Sequence, residues 1–218
     1  MDKNISKVIE ERRKYRSPDE RDSSWDYCFK YFQSFSKDDR PSLENGSCMQ
    51  LSCLQLGFYL ASWGMYRGSA PIHLQSVKYL EPVIQMIARE ENLWETDVNT
   101  YEKDGIDLII NFANKLRVDW GKDWNRRPSD ILITKIMLGV FGCVPAFDTY
   151  FKKGFGVSSL NKNSLNGISK YYSENKQIDN YLDYVTDFKT GKPFKGKFKY
   201  TRARVIDLVF FDIGGGNK

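Results

Sequence analysis

Histidine and cysteine are scarce in this sequence, and their scarcity narrows the chemistry available to the chain. His73 is the single histidine, and we interpret it as a partly buried side chain rather than a catalytic base. Cys28, Cys48, Cys53 and Cys143 form no Cys-x-x-Cys pair, so the sequence predicts no zinc site, no other metal and no cofactor. We expect these cysteines to be reduced and packed in the core.

Long apolar runs are absent as well. No window approaches the roughly 18 apolar residues of a membrane span, and residues 1–15, MDKNISKVIEERRKY, are rich in charge. We therefore expect a soluble, cytoplasmic protein with no membrane partner. The net charge of +5 permits a polyanionic partner without requiring one.

Alternating strand patterns are also rare, whereas helical apolar spacing recurs along the chain. We predict an all-α fold with a single multi-helix domain over residues 1–218. Pro82 should break or kink the fourth helix near Glu81, and the segment 192–200, KPFKGKFKY, has the alternation of a short hairpin. Helices are predicted at residues 2–14, 25–35, 48–63, 72–89, 98–118, 129–141, 164–174, 177–185 and 201–213.

The most informative segment is residues 131–151, ILITKIMLGVFGCVPAFDTYF. An apolar helix ends at Gly142, a turn with Pro145 follows, and Asp148 opens the next helix. The positive end of the helix dipole favours an ionised aspartate at this position. An aspartate here can also be a simple N-cap, which is the purely structural interpretation.

The run Asp148-Thr149-Tyr150 behind this helix and turn resembles the end of the catalytic region in helix-hairpin-helix DNA glycosylases. The resemblance implies two helical lobes that flank a cleft, with Asp148 as the catalytic residue. A carboxylate there stabilises a transition state that resembles an oxocarbenium ion, and it orients or deprotonates the attacking water. Some family members carry a four-cysteine iron–sulfur cluster after this aspartate, but no cysteine follows Cys143.

The chain departs from the family pattern at the start of the same helix. Bifunctional members use a hairpin lysine as a nucleophile, about eleven residues before the helix-ending glycine, where this chain has Ile131. Lys135 lies one turn further along, and the Gly-x-Gly hairpin is missing, so the sequence predicts a monofunctional enzyme. We expect Arg126, Arg127, Ser129 and Lys135 to bind DNA, with the helix start holding a phosphate. A capped, solvated helix start is the alternative.

Two further segments carry candidate binding residues. Residues 189–204 interleave basic and aromatic side chains, a pattern that suits phosphate contacts and base stacking, although such runs are often solvated loops. A base pocket is predicted at the loop 63–69, WGMYRGS, although the same residues could close a core. Asp207 and Asp212 of the last predicted helix could also approach the site, but we expect surface positions for both. The predicted DNA contacts are Lys195, Lys197, Lys199 and Arg202, and the predicted base-pocket residues are Trp63, Tyr66 and Arg67.

Two functions remain open on these observations. The first is a DNA glycosylase that flips a damaged or modified base, for instance one of a phage type, and hydrolyses its N-glycosidic bond. The second is a non-enzymatic helical protein that binds nucleic acid or another partner. A glycosylase needs Asp148 in a cleft beside an aromatic pocket, whereas a structural aspartate would cap its helix and face away. A small-molecule enzyme has no support, because the sequence lacks a phosphate-binding loop and a nucleophile elbow.

Overall fold

Helices make up the regular secondary structure of the computed structural model, which describes residues 2–68, 70, 72–120, 127–194 and 196–216. The all-α prediction is confirmed, because the described residues contain no β-strand. Arg126 and Lys195, two predicted DNA contacts, lie outside these ranges. No helix within them is both long and apolar enough to cross a membrane.

The predicted helices correspond closely to those observed. Helix α5 is extended at both ends by π-helical turns, Tyr101–Gly105 and Leu116–Trp120. The α-helices are α1 Asp2–Tyr15, α2 Ser23–Gln33, α3 Gly46–Ser62, α4 Glu81–Ala88, α5 Ile106–Lys115, α6 Asp130–Val140, α7 Thr149–Phe155, α8 Lys162–Glu174 and α9 Arg202–Ile213.

Three predicted boundaries are corrected. The helix expected at 72–89 is α-helical only from Glu81, because Pro82 occupies its first turn, where the missing N–H costs nothing. The helix expected at 177–185 is a 3-10 helix, Lys176–Tyr181. The segment 192–200 pairs with residues 184–186 through two isolated antiparallel bridges instead of forming a hairpin within itself.

Helix α6 lies at the centre of the buried core. Its residues from Leu132 to Val140 are all buried. A Cβ at Gly139 would lie 2.4 Å from the Tyr59 ring, so glycine allows α3 to pack closely on α6. The Trp25 indole of α2 donates a hydrogen bond to the Leu138 carbonyl at 3.0 Å. These contacts fix α6 rigidly, and with it every side chain that α6 carries.

Helices α7 and α9 approach each other even more closely. A Cβ at Gly154 would lie 2.0 Å from the Phe210 carbonyl oxygen, and a Cβ at Gly214 would lie 2.0 Å from that of Tyr150. Only glycine fits at either position. The close approach holds the beginning of α7, which follows Asp148, against the C-terminal end of α9.

Candidate active site

Asp148 caps α7 and also faces a cavity. Its Oδ1 accepts a hydrogen bond from the Phe151 amide at 2.9 Å, as expected of an N-cap. Its Oδ2 accepts none from a described residue, and the side chain lines a cavity of about 80 Å³. The two interpretations of Asp148 are therefore compatible, since one oxygen holds the helix and the carboxylate still faces an internal space.

The cavity is rich in charged side chains. Five basic side chains, three carboxylates and three aromatic rings line it. Its size suits a few water molecules, since a water occupies roughly 30 Å³ in the liquid. The lining residues are Arg12, Arg21, Asp22, Trp63, Arg67, Lys135, Asp148, Tyr150, Arg204, Asp207, Leu208 and Phe211.

Lys135 enters the cavity from the middle of α6. Its side chain is buried, and Nζ donates a hydrogen bond to the Trp63 carbonyl at 2.7 Å. Burial lowers the pKa of Lys135, while Asp148 and Asp207 oppose that change. The amine therefore lies within the electrostatic reach of both carboxylates, a placement that the sequence predicted only as a DNA contact.

Arg204 and Asp207 of α9 form a buried ion pair on the opposite wall. Arg204 Nη1 donates to Asp207 Oδ2 at 2.9 Å, and Asp207 Oδ1 accepts from the Ala146 amide at 2.9 Å. Burial raises the pKa of Asp207 to about 6, a change that Arg204 opposes and Asp148 reinforces. The surface position expected for Asp207 is wrong, because the residue ties α9 to the turn that carries Asp148.

The Arg204 guanidinium is surrounded by aromatic rings. Its central carbon lies 4.8 Å from the Trp25 ring centroid and 4.9 Å from that of Trp63. Nε and Nη2 are buried without a hydrogen-bond partner among the described residues. Cation–π attraction of roughly 2 kcal/mol in desolvated settings offsets part of that cost.

The predicted base-pocket loop contributes two of its three residues to the cavity. The Trp63 indole donates to Ser24 Oγ at 3.1 Å, which fixes the ring. Gly64 has φ +78°, and a Cβ there would lie 2.7 Å from Arg67 Nε, so glycine lets the Arg67 side chain fold back over the loop. Tyr66 does not line the cavity, and its hydroxyl is buried without a partner in the described ranges.

The start of α6 lies apart from the cavity. Ser129 is exposed and caps the helix by accepting a hydrogen bond from the Leu132 amide at 3.3 Å. Arg127 is exposed as well. Ser129 and Lys135 are separated by about 9 Å along the helix axis, at 1.5 Å per residue. The structure does not bring the predicted phosphate contact at the helix start into the cavity.

The described side chains of the basic segment are of two kinds, exposed lysines and an arginine that is held in ion pairs. Lys197 and Lys199 are exposed. Arg202 is held by Asp97 at 3.3 Å and by Asp179 at 2.8 Å, so its guanidinium is already occupied. None of these three residues lines the cavity.

A larger groove of about 980 Å³ adjoins the cavity. Helix α1 and the residues that follow it form one side, and α9 forms part of the other. Arg12 bonds both Asp22 and Asp212, and it stands between the two spaces. The residues that line both are Arg12, Arg21, Asp22, Arg204 and Leu208.

Sequence reasoning missed several of these residues. Arg204 and Asp207 do leave a signal, because a basic and an acidic residue three positions apart interrupt the apolar run 203–211. Arg12, Arg21 and Asp22 leave none, since the packing of α1, the start of α2 and α9 brings them to the cavity.

The chain matches no family model, no curated protein and no solved structure. Within the described residues, no group of three or more His, Cys, Asp or Glu side chains is placed to hold a metal ion. The chemistry of the site therefore rests on its own geometry.

Proposed function

We propose that the protein is a monofunctional DNA glycosylase that removes a damaged or modified base. One observation carries the proposal. Asp148 and Lys135, together with Trp63 and Arg67 of the predicted base pocket, line the same cavity. These residues come from three separate elements. The cysteines are unpaired, which fits the reducing cytoplasm where we place the protein.

In this proposal, Asp148 acts in the hydrolysis of an N-glycosidic bond. As the bond from C1′ to the base breaks, its electron pair leaves with the base, and positive charge develops on the sugar. The Asp148 carboxylate stabilises that charge. It also accepts a proton as water forms the new bond to C1′, while the departing base takes up a proton from solvent.

The nucleotide would enter from the groove. Ligand pockets usually occupy roughly 300–1,000 Å³, so the cavity of about 80 Å³ is too small for a base until it opens. The groove of about 980 Å³ has the required size. Parting Arg12 from Asp22 would join the two spaces, because both residues line each of them.

Lys135 is the one amine that could change the mechanism. A Schiff base needs a neutral amine, and the lowered pKa of Lys135 favours that form, because burial outweighs the attraction of Asp148 and Asp207. The hydrogen bond to the Trp63 carbonyl, however, engages Nζ and holds it away from an attack on C1′. We therefore expect hydrolysis without a covalent intermediate. Borohydride trapping on a cleaved substrate should give no adduct, and an adduct that disappears in Lys135→Ala would make Lys135 the nucleophile.

The proposal is tested with a panel of DNAs that carry different base modifications. Each is incubated with the protein, and abasic sites are detected by strand cleavage in alkali. We expect one modified DNA to be cleaved after alkali and left unbroken without it. A panel that stays intact in both conditions would argue against the activity.

A non-enzymatic nucleic-acid-binding protein is the second candidate. The hydrogen bond from the Phe151 amide to Asp148 favours it, because a helix cap alone accounts for that contact. This candidate predicts DNA binding without base release from any member of the panel.

A further inference from the structure

We infer that Arg21 and Arg67 form a clamp for a DNA backbone phosphate at the mouth of the cavity. The inference rests on the proposed function for the identity of the polyanion. It replaces the sequence-based role of Arg67 as a base-pocket residue, and it adds Arg21, which no sequence pattern indicated.

The first observation is that two of the five cations that line the cavity are already held in ion pairs. Arg12 is bound by Asp22 and Asp212. Arg204 is paired with Asp207 and enclosed by aromatic rings. These side chains cannot turn to a ligand without breaking buried contacts.

Arg21 and Arg67 differ from these residues in two ways. Both are exposed, and neither forms an ion pair with any residue of the described ranges. Both nevertheless line the cavity that contains Asp148. Their guanidinium groups are close enough to Lys135 to lower its pKa. Two cations that take part in no ion pair of the described residues thus face solvent at the entrance to the cavity.

The Arg67 guanidinium lies against the Gly64 backbone within the same loop. Gly64 adopts φ +78°, and Nε and Nη2 of Arg67 lie 2.7 and 2.9 Å from the position that a Cβ of residue 64 would take. A guanidinium presents two parallel N–H donors that match two phosphate oxygens. Arg67 can therefore hold a phosphate while Trp63, in the same loop, faces the cavity.

The three carboxylates that line the cavity disfavour a phosphate deep inside it but still allow one at its mouth. Asp22 and Asp207 are neutralised by Arg12 and Arg204, but Asp148 has no basic partner within ion-pair distance in the described chain. A phosphate is therefore expected at the mouth beside the two arginines, away from Asp148. Under the proposed function, the sugar of the bound nucleotide would then lie between this phosphate and the Asp148 carboxylate.

The test uses a DNA that cannot be excised, so that it does not depend on activity. An oligonucleotide duplex with a tetrahydrofuran abasic analogue is titrated with the protein at several salt concentrations. Arg21→Gln and Arg67→Gln should each reduce the slope of log affinity against log salt by about 1, because each removes one phosphate contact. The control Lys153→Gln removes the same charge from an exposed residue outside the cavity, and its slope should match the wild type.

The result tests the phosphate clamp independently of glycosylase activity. A reduced slope in both arginine variants supports the clamp even if no modified base is ever released. An unchanged slope in both variants, an equal fall in Lys153→Gln, or no binding by the wild type at low salt would overturn it. Thermal melts of all variants check that a reduced slope does not result from unfolding of the variant.

Discussion

The cavity and the exposed lysines of the basic segment 189–204 both carry charge, but they hold it differently. In the cavity, Arg204 is 1% exposed and is fixed by Asp207 and two tryptophans. In the basic segment, Lys197 and Lys199 extend into solvent. Fixed charges can direct chemistry at one atom, whereas mobile exposed charges attract a polyanion without selecting a base. Under the proposed function, we therefore expect the cavity to carry the chemistry and the segment to contribute general affinity for DNA.

The largest expected difference between the two regions is in how much a substitution lowers the free energy of unfolding. Arg204→Met leaves Asp207 buried and unpaired, and loss of one member of a buried pair typically costs about 3–5 kcal/mol. Urea unfolding measures the change. Lys197→Gln, in the basic segment, should stay within about 0.5 kcal/mol of the wild type. Similar losses in both variants would mean that the two regions do not differ as described.

The second effect concerns pH and is confined to the cavity. The pKa of Asp207 is about 6 in the fold against an ordinary 3.8. The folded state holds this proton more tightly than the unfolded chain, so its stabilisation is present below the ordinary pKa and is lost as the pH rises through about 6. The total is about 3 kcal/mol at 1.36 kcal/mol per pKa unit.

Unfolding free energies of the wild type and Asp207→Asn, measured between pH 3.8 and pH 7, isolate this contribution. The wild type should lose stability relative to the variant over that range. Parallel pH curves for the two proteins would show that Asp207 has an ordinary pKa.

The smallest effect is on DNA affinity through the basic segment. Replacing Lys195, Lys197 and Lys199 by Gln should weaken binding and reduce the salt slope by about 0.9 for each lysine that contacts a phosphate. The variant should unfold like the wild type, since Lys197 and Lys199 are exposed. An unchanged slope would remove the segment from the DNA contact and leave the arginines of the cavity mouth as the main electrostatic contact.

Local signals in the sequence predicted most of the helices. Apolar spacing located α2, α3, α6 and α9 to within a few residues, because each helix buries one face or all of its surface. Pro82 misled the prediction at residues 72–89, since a proline within an apolar run marks a kink or a first turn equally well.

The site was only partly predictable. Asp148 and Trp63 were found because a turn or a loop marks each of them in sequence. Arg12 and Asp22 were not, since they meet through packing between α1, the start of α2 and α9. A pattern along the chain records what a residue does within its own helix, but it does not record which distant helix packs against that helix.

The measurement that tests the central claim most directly is base release by Asp148→Asn beside the wild type on the same modified DNA. Asparagine keeps the cap that the Phe151 amide requires, so fold and DNA affinity should change little. We expect alkali-labile abasic sites with the wild type and none with the variant. Release at the wild-type rate by Asp148→Asn would contradict the assignment of Asp148 as the catalytic residue.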